Sequence, residues 1–166
     1  YTSCEHMKLM FDEALSSVGM VGMAIGTRPD CIDAAKLDVI ESYTKNYLVW
    51  LEYGLQSVHD TTLEKINRQH TVKDFFNAVE LTKDRGINIC THIILGLPGE
   101  DRNMMLETAK IVGDSPINGI KIHLLYVIKG TILDTMWKRG DYIPLEQKEY
   151  VDTVSDFLEI AGVVSV

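Results

Sequence analysis

Apolar positions along the chain follow two rhythms. In four segments they run almost unbroken: Met20-Val-Gly-Met-Ala-Ile-Gly-Thr-Arg28, Leu48-Val-Trp-Leu-Glu-Tyr-Gly-Leu-Gln-Ser57, Ile87-Asn-Ile-Cys-Thr-His-Ile-Ile-Leu-Gly-Leu-Pro-Gly-Glu100 and Gly119-Ile-Lys-Ile-His-Leu-Leu-Tyr-Val-Ile128. Runs of this kind belong to strands covered on both faces, and they predict a buried parallel sheet. Elsewhere apolar residues recur every third or fourth position, the spacing of an amphipathic helix. Met7, Met10, Phe11, Ala14, Leu15 and Val18 mark a first helix, with Ser3 as its N-cap and Gly19 as its stop. Pro29 halts the strand that follows, and Asp30 or Asp33 can cap a helix carrying Leu37, Ile40 and Tyr43.

After the second strand, Asp60 is placed to cap a short helix with Leu63 and Ile66. Thr71-x-x-Asp74 reads as a capping box opening a helix with Phe75, Phe76 and Val79, which Gly86 ends. Glu100 and Asp101 put negative charge at the positive end of a helix whose Met105, Ala109 and Val112 face inward. A short helix around Met136 and Trp137 stops at Gly140. Pro144 opens the last one, where Tyr150, Val151, Val154, Phe157, Leu158 and Ala161 form a core-packing stripe. The tail Val163 to Val166 is apolar enough to begin another strand.

Strands therefore alternate with helices at about 30-residue intervals, the signature of βα repeats with right-handed crossovers. Four strands do not close a barrel. The expected fold is α/β: a single domain forming part of a (β/α) TIM-like barrel, an open parallel sheet with helices on its outer face and functional side chains at the carboxyl ends of the strands.

Composition narrows the function. Sixteen basic against twenty-four acidic residues leave a net charge of −8, which argues against a duplex nucleic-acid binder relying on phosphate neutralisation. No apolar run approaches the roughly 18 residues of a membrane span, and no leader pattern is present, so a cytoplasmic protein is expected. Cys4, Cys31 and Cys90 are too scattered for a disulfide framework or a metal-binding motif. Tyr1-Thr2-Ser3 enters a helix as a loop would, and the chain reads as a segment of a longer one.

Strand side chains alternate faces, so positions two apart share one. Trp50, Glu52, Gly54 and Gln56 point together, as do Cys90, His92 and Ile94, and Lys121, His123, Leu125 and Val127. Charges and imidazoles in a covered strand cost several kcal/mol unless paired, so Glu52, His92, Lys121 and His123 are expected to face a wet lumen or one another. An internal network such as a Glu52 to Lys121 ion pair and a ligand site both satisfy that requirement.

These residues resemble the radical SAM superfamily, in the branch shared by the Elongator catalytic subunit, MiaB and oxygen-independent coproporphyrinogen oxidases. Gly26-Thr-Arg-Pro-Asp30 resembles that branch's third-strand turn. Gly54-Leu-Gln-Ser57 followed by Ile66-Asn-Arg-Gln-His70 resembles its GxQS and R-x-H signature, and Ile94-Leu-Gly-Leu-Pro-Gly99 its GLPG turn. Leu51-Glu-Tyr-Gly-Leu-Gln-Ser57 and Tyr126-Val-Ile-Lys-Gly-Thr131 are most similar to the bacterial YhcC/YtqA subgroup.

The resemblance implies an enzyme whose complete form binds S-adenosylmethionine on a [4Fe-4S] cluster held by a CxxxCxxC loop. Reductive cleavage there yields a 5′-deoxyadenosyl radical that abstracts hydrogen from a substrate. No CxxxCxxC occurs in these 166 residues, so this segment alone is expected to be inactive and to hold neither cluster nor cofactor. By the same resemblance Gln56 and Arg68 match positions contacting S-adenosylmethionine, and His92 stands where an aspartate holds the ribose. Gly26 replaces a glutamate, and Glu52 is a candidate to supply the lost carboxylate. Arg28, Lys121 and His123 are lumen or substrate candidates. The substrate is not specified, although acidity disfavours tRNA.

Two other functions fit the bare residues. One is a (β/α)-barrel lyase or aldolase using Lys121 as a Schiff-base nucleophile; the other is a non-enzymatic scaffold. By the resemblance, the strands that would continue the sheet beyond Met20 to Gly26 are missing from these residues, so that strand is expected to lie at a sheet edge, self-associating or covered by a loop or helix.

Overall fold

In the computed structural model, which describes residues 2–162, four parallel strands form one sheet in the order of the sequence. The strands are β1 (Gly22–Thr27), β2 (Leu48–Gln56), β3 (Asn88–Leu95) and β4 (Gly119–Leu124). Helix α1 (Cys4–Leu15) precedes the sheet. A single 3-10 turn (Pro29–Cys31) and α2 (Ala34–Glu41) link β1 to β2, while α3 (Asp60–Lys65) and α4 (Val72–Thr82) link β2 to β3. The third crossover is α5 (Arg102–Gly113), and α6 (Ile132–Arg139) and α7 (Gln147–Ile160) follow β4.

One face of the sheet carries the core. Val49, Leu51, Tyr53 and Leu55 of β2 and Ile89, Ile93 and Leu95 of β3 are buried against Leu37 and Ile40 of α2, Phe75 and Val79 of α4, and Met105, Ala109 and Val112 of α5. The other face carries Trp50, Glu52 and Gly54, all only part-buried. This is the expected open (β/α) sheet with its helices on one side, and it leaves the opposite face for polar groups. Among the described residues β1 pairs with β2 alone, so it is a sheet edge.

Local signals set most helix ends. Ser3 accepts from the His6 backbone N–H, Asp33 from Lys36 and Asp101 from Met104, while Thr71 and Asp74 close a capping box in both directions. Gly140 ends α6 in the left-handed region at φ 81°, where a Cβ would be strained.

Several expectations need correction. Helix α1 stops at Leu15, and Val18 is fully exposed beyond it. Of the two candidate caps for α2, it is Asp33 that accepts from the Lys36 N–H, while Asp30 lies within the 3-10 turn and pairs with Arg28. Asp60 is the first residue of α3 rather than its cap, and its carboxylate accepts from the Val72 N–H at the start of α4. Helix α4 ends at Thr82, four residues before Gly86, and its Phe76 is exposed while Phe75 is wholly buried.

Pairing of β4 ends at Leu124 rather than Ile128, and α7 starts after Glu146 rather than at Pro144. Val151 faces solvent although Phe157, less than two turns further along the same helix, is buried. The possible strand Val163 to Val166 lies outside the described residues.

Candidate functional site

The inner face of the sheet brings four of the anticipated side chains into one hydrogen-bonded chain. Glu52 on β2 accepts from Lys121 Nζ at 2.6 Å on Oε1 and 2.7 Å on Oε2, and its Oε2 lies 2.9 Å from His92 Nε2. His92 Nδ1 in turn lies 3.2 Å from His123 Nε2, with the two rings tilted by 32° and their centroids 5.1 Å apart. Strand register explains the convergence: Gly26 pairs with Glu52, Glu52 with Cys90, and His92 with Lys121, so three strands deliver polar groups to adjoining positions.

Electrostatics follow from these contacts. Hydrogen bonds from Lys121, reinforced by His92, outweigh burial and hold the Glu52 carboxyl below its ordinary value, while the same carboxylate raises the Lys121 ammonium. A Schiff-base lysine must instead surrender its proton readily, so this pairing weighs against the lyase reading.

Because Glu52 ionises more easily folded than unfolded, its contribution to stability is complete above the unfolded value near 4.5 and is lost as pH falls through the lowered folded value. Glu52→Gln is therefore expected to destabilise the protein at about pH 7 and to cost progressively less as pH falls through the lowered folded value, where the wild-type carboxyl itself takes up a proton. Urea unfolding of both proteins across a pH series from about 7 downward checks this: the gap between them should narrow as the pH falls.

Gln56 and Arg68 meet at a second point on the same face. Strand pairing slips after Tyr53, so that Gln56 stands beside Ile93 with φ at 75°, a left-handed conformation unusual for glutamine. Arg68 sits between Asn67 at φ 56° and Gln69 at φ 61°, two further non-glycine residues in that region. This strained backbone is concentrated where two polar side chains are aimed at one spot.

That spot is Gly54. Arg68 Nη2 donates to the Gly54 carbonyl at 3.0 Å, and a Cβ on Gly54 would lie 2.7 Å from Gln56 Nε2 and 2.8 Å from Arg68 Nη2. Arg68 Nε is buried with no hydrogen-bond partner among the described residues. Arg28 stands at the end of β1, its Nε 2.9 Å from Asp30 Oδ1, and the Arg28 and Asp30 charges both act on Arg68, with opposite sign.

Sequence reasoning missed two supports of this site. Glu100 reads as a helix-terminus charge, yet Asp101 caps α5 and Glu100 turns back to accept from Ser57 Oγ, tying the GLPG turn to the end of β2. Burial pushes its carboxyl up. Tyr142, beyond α6, donates to the Gly96 carbonyl at 2.8 Å and closes over the same turn. Gly54 was visible in the pattern only as an inward position. Its role follows from three-dimensional proximity to Arg68, fourteen residues on, which no periodicity encodes.

Cys4, Cys31 and Cys90 lie on α1, the 3-10 turn and β3, all as free thiols. Among the described residues, no three His, Cys, Asp or Glu side chains are grouped so as to hold a metal ion, and no helix is long and apolar enough to cross a membrane.

An open parallel (β/α) sheet, helices on one face and convergent polar groups on the other, defines the class of partial-barrel proteins whose sites lie at the strands' carboxyl ends. The chain belongs to the radical SAM superfamily: residues 6–112 match that superfamily's profile, and residues 117–162 match its C-terminal domain.

It is 44% identical over 160 residues to the Methanocaldococcus jannaschii protein MJ0486, covering 96% of this chain and 50% of that one. It is 42% identical over 156 residues to YtqA of Bacillus subtilis, covering 94% and 48%. Among solved structures, Methanocaldococcus infernus Elp3 with an N-terminal deletion superposes with a TM-score of 0.72 at 32% identity, over 84% of this chain and 33% of that one. The chain thus spans about half the length of the curated relatives it matches.

Proposed function

We propose that these residues form the cofactor-facing half of a radical SAM enzyme, with Gln56 and Arg68 contacting S-adenosylmethionine and Glu52 receiving its ribose. The observation that carries this reading is the convergence on Gly54 of the Gln56 amide and the Arg68 guanidinium, with the buried Arg68 Nε lacking a hydrogen-bond partner among the described residues. A carboxylated, polar cofactor supplies the acceptor that such a donor requires.

The family's glutamate position is Gly26, and a Cβ there would meet no heavy atom within 4 Å. Glu52 is its register partner on the neighbouring strand. Lys121 bonds both of its oxygens and His92 bonds Oε2, which leaves a lone pair on Oε1 able to accept from a ribose hydroxyl, with His92 orienting the group through Nε2. Arg28, Lys121 and His123 border the remaining inner face.

S-adenosylmethionine with the [4Fe-4S] cluster supplies radical hydrogen-atom abstraction. The residues described here bind and orient the cofactor and limit water; the cluster's thiolate ligands would come from outside the described residues, among which no three cysteine, histidine or carboxylate side chains are grouped to hold a metal.

Full-length protein, reconstituted anaerobically with iron and sulfide and reduced with dithionite, is expected to release 5′-deoxyadenosine. Arg68→Ala is expected to weaken S-adenosylmethionine binding about 10- to 100-fold, the scale of one hydrogen bond to a charged group. Absence of 5′-deoxyadenosine from cluster-loaded protein, or unchanged affinity in the variant, counts against the reading.

A further inference from the structure

The hydrogen-bonded chain on the inner face has a direction. Ionised Glu52 can only accept, so His92 Nε2 must carry the hydrogen that points to it. In neutral His92, Nδ1 is then a lone pair, and the contact at 3.2 Å requires His123 Nε2 to donate. The remaining atom, His123 Nδ1, is left as a lone pair on an exposed imidazole. Glu52, His92 and His123 thus form a carboxylate-backed relay whose open end is His123. Lys121 holds Glu52 at both oxygens and keeps it from taking the proton.

A structural polar network needs each buried group to be satisfied, and the Glu52 to Lys121 pair alone would do that for Glu52. It does not account for two further imidazoles aligned from β3 and β4 with the last one facing outward. Alignment of a carboxylate, an oriented imidazole and an open acceptor is the arrangement used in general-base catalysis.

We propose that His123 is the general base of this site, taking a proton from a hydroxyl or amine of the substrate, with His92 and Glu52 as positioning residues. The proposal rests on the reading above only in placing a substrate at this face. In the step, the O–H or N–H bond of the substrate breaks and its electron pair stays on the substrate. The Nδ1–H bond of His123 forms, and the imidazolium keeps its Nε2–H donated to His92. No electron is gained or lost, and Glu52 offsets the new positive charge through His92.

The test uses diethyl pyrocarbonate, which acylates an unprotonated imidazole nitrogen, on the full-length protein, with the modified peptides quantified by mass spectrometry. His6, exposed on α1, serves as the reference, and His70, which is only 5% exposed, reports that the fold is intact. His123 is expected to react severalfold faster than His6, and the excess is expected to vanish in His92→Phe and in Glu52→Gln while His70 stays protected.

Equal rates for His123 and His6 in the wild type overturn the relay, as does a fast His123 that survives both substitutions. If His92→Phe exposes His70, Glu52→Gln decides. Release of 5′-deoxyadenosine separates the two claims: release without selective His123 acylation defeats the relay alone, and selective acylation in a cluster-loaded protein that releases none defeats the cofactor reading alone.

Discussion

Replacing Gly54 by alanine is expected to leave the protein folded and to lower its affinity for S-adenosylmethionine about 10- to 100-fold, the range for losing hydrogen bonds to a charged group. The added Cβ falls 2.7 Å from Gln56 Nε2 and 2.8 Å from Arg68 Nη2. Both atoms end long, flexible side chains, so they can swing away while the backbone of β2 stays in place. A glycine replaced outside the left-handed region also restricts the unfolded chain, which offsets part of the strain. Binding and stability are thus predicted to separate. Titration calorimetry on the full-length protein and thermal unfolding of the same sample measure both. An affinity within about twofold of wild type would remove Gly54 from the site, since a hydrogen bond to a charged group is worth more than that.

The second large effect belongs to the core. Phe157→Ala is expected to cost about 3–5 kcal/mol, the range for removing a buried aromatic ring, whereas Val151→Ala on the same helix should stay within about 0.5 kcal/mol. Phe157 has no exposed surface, and Val151 retains 56% of its own. Helix α7 lies close against α5, where a Cβ on Gly113 would come within 2.7 Å of the Ala161 Cα, so the pocket around Phe157 has little freedom to collapse. Urea midpoints of the two variants test the contrast. Similar losses would mean that α7 packs through a different face.

The sheet was legible in the sequence because buried parallel strands leave long apolar runs, and the runs Leu48 to Ser57 and Ile87 to Glu100 contain the observed strands β2 and β3. Strand parity likewise placed Glu52, His92, Lys121 and His123 on one face, and the structure joins them. Helix faces were read less well. Val151 and Phe76 both sit at helical spacing from core residues but on the margin of the stripe, where one residue of rotation, about 100°, exchanges core for solvent.

Parity and the resemblance together place Gln56 and Arg68 in one cleft with His92, but the way the two meet was not available from pattern. It depends on a slip in strand pairing and on Asn67 and Gln69 in left-handed conformations, which Asn tolerates better than most residues but does not announce. The resemblance pointed to both residues; their meeting over a glycine comes from the coordinates alone.

Strand order in this sheet is the order of synthesis. Each new strand can therefore dock on an edge already formed, through contacts of modest sequence separation, so the domain can grow from its amino-terminal side as the chain emerges from the ribosome. Glu52 is laid down on β2 before any of its partners exist. His92 arrives with β3 and Lys121 with β4. In that order of assembly the carboxylate would lie on an unfinished edge open to water and give up hydration only as its imidazole and ammonium partners are delivered. Growth in strand order would thus spare the chain a stage in which a lone charge is covered before its partners arrive.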